Sequence, residues 1–268
     1  MFTDLERPLG LKWGTSSTTN EDGTINEEAI GGYADQIVEA KTVFKNVFVV
    51  ASGSVAVGET VWREIYADRP LPNKQTLAML GTAPAHMVWQ KKLAERGLPA
   101  GQLLATHHQI DDRSRTAVLD ATIKDAFTND VVPVGNENDA MSLEEMAKLS
   151  YGGENDGLAS HMAVRFNAFA LIINSDTQGL MKRGNLSQLI ERIDFDDRSA
   201  TYAKIQAGWE PGQDETYENN ALSKTDACLN AAMNGVKAYW TKAGTPFEEV
   251  LANKPGSGTY FEESAWTR

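Results

Sequence analysis

The sequence predicts an α/β fold of three layers, with a mainly parallel central sheet covered by helices on both faces. Short apolar segments that read as strands alternate with helical periodicities at βαβ spacing. Two of these segments, Val47–Val50 and Val131–Val134, are apolar nearly throughout, as strands buried on both faces are. Each then breaks into small or polar residues: Ser52-Gly53-Ser54 after the first, and Asn136-Glu137-Asn138-Asp139 after the second. In an open parallel sheet, ligands sit outside the carboxyl ends of the strands. The two segments therefore read as two walls of one site, one offering backbone N–H groups and the other carboxylate and amide side chains.

Each element follows in order. Leu9 to Trp13 is a short strand, weakened by Gly10 and running into the turn Gly14-Thr15-Ser16-Ser17. Ile25 to Ala40 has apolar residues at helical spacing (Ile30, Tyr33, Ile37, Val38), with the segment Asn26-Glu27-Glu28 supplying negative charge at its start. Val47–Val50 is the second strand, and Ser52–Gly58 its exit loop. Asn73 to Leu93 is a long helix that Gly81 and Pro84 are expected to kink or split. Leu103–Thr106 is a third strand, Arg115–Phe127 a helix and Val131–Val134 the fourth strand. Ser142–Lys148 carries a capping box, Ser142 with Glu145. Gly152–Gly157 is a turn entering a helix over Leu158–Phe166, and Phe169–Ile173 is the fifth strand. Leu186–Ile193 has helical spacing. Trp209–Asn220 is polar and reads as a mobile loop. Asp226–Gly235 is a helix capped by Gly235, and Gly256–Phe261 a last turn and strand.

Composition bounds the function. The 268 residues suffice for one large α/β domain or two small ones, and 41% hydrophobic with 23% charged is ordinary for a globular protein. No apolar run approaches the ~20 residues of a membrane span, and the first residues lack the n- and h-regions of a signal peptide. The single Cys228 excludes an internal disulfide and fits a reducing cytoplasm; its setting, Thr225 to Leu229, is that of a structural thiol on a buried helix face. A net charge of −12 argues against a nucleic-acid partner. An anionic ligand would need a few well-placed lysines and backbone dipoles, set against the field of the whole molecule.

The strand-exit loops carry the chemistry. Gly14-Thr15-Ser16 and Ser52-Gly53-Ser54 let backbone N–H groups approach an anion, although neither matches a Gly-x-x-x-x-Gly-Lys or Gly-x-Gly-x-x-Gly pattern, and both are also ordinary turns. Asn136–Asp139 suits an amino acid, with carboxylates for an ammonium and amides for a carboxylate. An Asx-turn capping the next helix explains the same residues equally well, and capping also explains Asn155-Asp156. His107-His108 has no acidic or cysteine partner at metal-ligand spacing. Glu144-Glu145 and Asp196-Asp197 read as solvated charge, and Trp13 as packing.

In order along the chain, Lys12-x-Gly14-Thr15-Ser16, Ser52-Gly53-Ser54-x-Ala56-x-Gly58, Lys74-Gln75, Asp112-Arg113-x-Arg115, Asn136-Glu137-Asn138-Asp139, Gly153-Glu154-Asn155-Asp156, Ser175-Asp176, Ser223-Lys224 and Gly258-Thr259 resemble the amino acid kinase family, in its branch that phosphorylates glutamate. The resemblance spans roughly Leu11 to Phe261. It implies a single domain over 1–268, with an amino-acid-binding half over about 1–165 and a nucleotide-binding half over about 166–268. It also implies a short form without the RNA-binding-like C-terminal domain of some relatives. The implied reaction transfers the γ-phosphoryl of ATP to the side-chain carboxylate of glutamate, giving an acyl phosphate for proline synthesis. Lys12 and Lys224 would flank the phosphoryl, and Asp156 would hold the lysines. Gly14, Thr15 and Ser16 would donate to phosphates, with Ser175, Asp176 and Ser223 beside the nucleotide. Ser52, Gly53, Asp139 and Asn155 would bind glutamate, Asp139 taking its ammonium. Mg²⁺ would bridge phosphate oxygens without a dedicated carboxylate cage, and a homo-oligomer, dimer or tetramer, is implied.

The sequence departs from the family pattern on the nucleotide side. Tyr217-Glu218-Asn219-Asn220-Ala221 stands where a Gly-Thr-Gly-Gly-Met segment is usual, and Met181–Asn185 replaces a Tyr and Asp-Pro pattern. Glu154 replaces an Asp, and Gly135 an apolar residue. Three readings follow: an active glutamate kinase, a paralogous kinase for a related carboxylate, and a non-catalytic protein that keeps the pocket. Retention of Lys12, Asp156 and Lys224 favours catalysis.

Overall fold

Strand β1, Leu9–Trp13, lies inside an eight-stranded sheet and pairs in parallel with β2 (Val47–Ala51) on one side and β5 (Ala170–Ser175) on the other. Beyond β2 come β4 (Val132–Glu137) and β3 (Ala100–Ala105); beyond β5 come β9 (Lys237–Lys242), β10 (Thr259–Glu263) and β8 (Arg192–Phe195), giving the order β3-β4-β2-β1-β5-β9-β10-β8. Within this sheet, among the described residues, only the β9–β10 pair is antiparallel. A two-stranded ribbon joins β6 (Met181–Lys182) to β7 (Asn185–Leu189). The computed structural model describes residues 6–106, 109–110, 116–140, 154–182, 185–195, 201 and 215–263.

The sheet is mainly parallel and covered on both faces, as the alternation of elements predicts. Side chains along a strand point alternately to opposite faces. Leu9, Leu11 and Trp13 of β1 and Val47, Val49 and Ala51 of β2 therefore enter one apolar core, with α2 (Glu27–Lys41), α4 (Lys74–Ala94) and α8 (Phe247–Leu251) over it. Phe48 and Val50 enter the other, beneath α5 (Thr116–Thr128), α6 (Glu154–Arg165) and α7 (Glu215–Met233). Trp13 is packing, as expected, stacked on Tyr33 at 5.0 Å between ring centres. Cys228 is fully buried in the second core, where burial pushes its thiol pKa up.

The remaining helices correct several expectations. The exit loop after β2 is only two residues long. Gly53 turns the chain at φ +114°, which favours glycine, and α3 (Ser54–Ile65) starts at once. Gly81 and Pro84 do not split α4, which runs for 21 residues. Gly81 serves close approach instead: a Cβ there would overlap the carbonyl oxygen of Ser54, and one on Gly58 would overlap that of Leu77. The two glycines thus let α3 and α4 cross backbone to backbone. Ala in place of Gly inside a helix normally adds up to ~1 kcal/mol of stability. Here we expect Gly58→Ala to destabilise by roughly 1–3 kcal/mol, the scale of overpacking. Urea denaturation checks this, and a stabilised variant would refute the crossing.

Leu186–Ile193 is not helical. Its residues form β7 and β8, because pairing with β6 and with the sheet edge at β10 outweighs local periodicity. The described part of the expected loop over Trp209–Asn220 belongs to α7, which begins at Glu215, eleven residues before the predicted helix start. Helix α6 starts at Glu154, so Asn155 and Asp156 lie in its first turn rather than in a preceding loop. Strand β9 had no sequence signal assigned to it and is central. Ser142–Lys148, His107-His108, Glu144-Glu145 and Asp196-Asp197 lie outside the described residues.

Candidate active site

The carboxyl ends of β1, β2, β4 and β5 open into one cleft of about 680 Å³. The strand order changes direction there: β2 lies to one side of β1 and β5 to the other. Such a switch point is where open α/β sheets bind ligands. All thirteen residues expected from the sequence line this cleft: Lys12, Gly14, Thr15, Ser16, Ser52, Gly53, Asp139, Asn155, Asp156, Ser175, Asp176, Ser223 and Lys224.

Alternation along β1 decides where Lys12 goes. Its neighbours Leu11 and Trp13 face α2 and α4, so Lys12 faces α6 and α7. There Lys12 Nζ meets Asp156 Oδ1 in an ion pair. Lys224 Nζ, from the middle of α7, lies 3.2 Å from the other oxygen, Oδ2, and Ser223 Oγ donates to that oxygen at 2.8 Å. Lys12, Asp156 and Lys224 are 3%, 4% and 8% exposed. One carboxylate in the first turn of α6 thus gathers two ammonium groups from different elements, leaving one net positive charge at the cleft floor.

Burial alone would raise the Asp156 pKa, but Lys12 and Lys224 more than reverse this, and the carboxyl is held well below the usual carboxylate range. Burial lowers the Lys12 pKa from 10.5; Asp156 opposes this and Lys224 reinforces it. The Asp156 carboxyl is therefore ionised at neutral pH, and Lys12 gives up its charge in alkali earlier than an exposed lysine does.

The walls are tied together by backbone. Ser52 N–H donates to Trp13 O at 3.0 Å, and Gly14 N–H donates to Asn174 O at 3.3 Å. The Thr18 hydroxyl, in the one-turn helix α1 (Thr15–Thr18) after Gly14, donates to Ser52 O at 3.0 Å and so ties the first loop to the second. On the β2–β4 wall, Asn136 Nδ2 donates to Ser54 Oγ at 2.7 Å, which leaves the Ser54 O–H to donate elsewhere. Asn155 Oδ1 accepts from Glu137 N at 2.8 Å, so its NH₂ is presented on the opposite edge of the amide. Asn136 and Glu137 thus belong to strand β4 and support the wall, whereas Asp139 lines the cleft. On the β5–β9 wall, Trp240 Nε1 donates to Ser175 Oγ at 2.7 Å.

Ser54, Val55, Lys74, Thr177, Ala221 and Trp240 also line the cleft and were not among the expected site residues. Lys74 stands in a matching Lys-Gln pair and had a sequence signal. Trp240 sits on the unpredicted β9 and had none. Where the family pattern has glycines, residues 217–221 are part of the continuous helix α7. Among the described residues, no three His, Cys, Asp or Glu side chains group as a metal cage.

A switch-point cleft, floored by two lysines on one aspartate and walled by small-residue loops, defines the class: a three-layer α/β protein with a positively charged cleft floor at the carboxyl ends of its strands. Residues 11–240 match the amino acid kinase family, and the chain belongs to it. It is similar to the glutamate 5-kinase of Dictyoglomus turgidum, 30% identical over 258 residues, covering 95% of this chain and 67% of that protein. It is also similar to the glutamate 5-kinase of Dictyoglomus thermophilum, 32% identical over 170 residues, covering 63% of this chain and 45% of that protein. The matches thus span about half to two thirds of the length of these relatives. Giardia carbamate kinase superposes with a TM-score of 0.67 at 14% identity, over 96% of this chain and 99% of that one, and shares the fold.

Proposed function

We propose that the chain transfers the γ-phosphoryl of ATP to the side-chain carboxylate of L-glutamate, giving an acyl phosphate that fits the first step of proline synthesis. The observation that carries this reading is the meeting of Lys12 and Lys224 on Asp156 at the floor of the cleft. Phosphoryl transfer needs positioning and charge neutralisation more than covalent chemistry. A carboxylate oxygen attacks the γ-phosphorus, the bond to the β–γ bridging oxygen breaks, and ADP leaves. Lys12 and Lys224 then stabilise the negative charge on the moving group from two sides, and Asp156 fixes both ammonium groups. Asp139 and the Asn155 NH₂ suit the ammonium and carboxylate of the amino acid. Gly14 to Ser16 and Ser175 to Thr177 suit the nucleotide side.

The cleft that would take the nucleotide would also take the Mg²⁺ ion that accompanies it. Bound there, the ion would neutralise phosphate charge.

ADP release, measured across amino acids and simple carboxylates with ATP and Mg²⁺, tests the reading. Turnover with glutamate is expected; turnover only with another acceptor, or with none, would overturn it. kcat/KM reports the free protein. Because burial lowers the Lys12 pKa from 10.5, we expect kcat/KM to decline in alkali at a pH below the ordinary lysine range. A limb at or above 10.5 would contradict the assigned charge state.

A further inference from the structure

We infer that Lys74 recognises the acceptor carboxylate that is not phosphorylated, and so selects amino acids bearing two carboxylates over acids bearing only the reacting one. This rests on the functional reading above and deepens it. Lys74 lines the cleft on the β2–β4 side, with Ser52 to Val55, Asp139 and Asn155. The residues assigned to the nucleotide, Ser175 and Asp176, leave β5 on the other side of β1.

Position and charge both point to a ligand. Lys74 is the first residue of a 21-residue helix, an exposed residue whose cationic side chain lines the cleft. The root of the side chain is fixed, because Leu77, one turn along, meets Gly58 of α3, and Gly81 meets Ser54.

The charges of the cleft and of the acceptor then match. Lys12 and Lys224 share Asp156 and face the phosphoryl group as it passes to the reacting carboxylate. Asp139 faces the ammonium. The second carboxylate, bonded to the same carbon as the ammonium, lies against this wall. Its neutral donors there are the Ser54 hydroxyl and the Asn155 NH₂, and its cation is Lys74.

The test compares Lys74→Met and Lys74→Arg with the unaltered protein on L-glutamate and 4-aminobutyrate, which lacks the second carboxylate. For Lys74→Met we expect the glutamate KM to rise roughly 10- to 100-fold, the scale of one lost charged hydrogen bond, with kcat kept. Turnover of 4-aminobutyrate should be unchanged, so discrimination between the two collapses. Lys74→Arg should retain most of it. Lys74→Cys, alkylated with 2-bromoethylamine, should regain glutamate affinity by restoring an ammonium. Cys228 stays out of this chemistry because it is fully buried. An unchanged glutamate KM, or a loss confined to kcat, would overturn the inference. If the unaltered protein releases no ADP with glutamate, the functional reading fails separately. Glutamate titration by calorimetry then decides Lys74: weaker binding to Lys74→Met supports its role, and equal binding, or no binding to either protein, overturns it.

Discussion

Lys224→Ala is expected to lower kcat for glutamate phosphorylation by roughly 10²- to 10³-fold, the usual cost of removing one preorganised transition-state donor. The glutamate KM should change little, because Lys224 faces the transferring group rather than the β2–β4 wall that holds the amino acid. The fold should persist. Without Lys224, Asp156 still pairs with Lys12 and still accepts from Ser223 at 2.8 Å, so no buried charge is stranded. ADP release with a parallel thermal melt separates the two effects. Near-normal turnover in a folded variant would reject the catalytic assignment. A large loss of melting temperature would mean that the lysine serves the fold instead.

Asp156→Ala should do the opposite and strike stability first. Two ammonium groups, from residues 3% and 8% exposed, would be left facing each other without a counter-ion. Removing one partner from a buried ion pair typically costs about 3–5 kcal/mol. Asp156→Asn keeps the volume and isolates the charge. The folded Asp156 carboxyl has its pKa depressed below 3.8, so its contribution is complete above that pH and is lost as pH falls beneath it. Lys12 works in the other direction. Its folded pKa is lowered from 10.5, so the buried ammonium costs stability at neutral pH, and the cost is relieved as pH rises toward the ordinary value. The unaltered protein should therefore lose stability more steeply below pH 3.8 than Asp156→Asn does. Denaturant midpoints measured from neutral pH into acid check this, and parallel acid limbs would show that Asp156 is not the group responsible.

Much of the cleft was legible before any coordinates, because its signals are local. A strand buried on both faces is a run of apolar residues, and the point where Val50 gives way to Ser52-Gly53, or Val134 to Asn136 and Asp139, marks a strand's carboxyl end. Parallel pairing then brings such ends to one edge of the sheet. Elements that depend on distant partners were not legible. Leu186–Ile193 has helical spacing, but its neighbours are β6 and β10. Strand β9 was missed, although it pairs with β5 from Ala170↔Lys237 to Ser175↔Lys242, and with it Trp240, whose indole holds Ser175. Gly81 reads as a helix breaker and is the crossing point of α3 and α4.

By itself, the chain's order of residues determined that a mainly parallel, helix-covered sheet forms and that its loops carry small, amide and carboxylate groups at strand ends. Period-two alternation and turn chemistry act over a few neighbouring residues, so they can be read without a structure. The family resemblance implied that the carboxylate at 156 holds the lysines at 12 and 224, and only the folded molecule brought the three together. Their separation along the chain leaves no local trace, and the buried charges come together because the faces of β1, α6 and α7 are fixed by packing across the whole sheet.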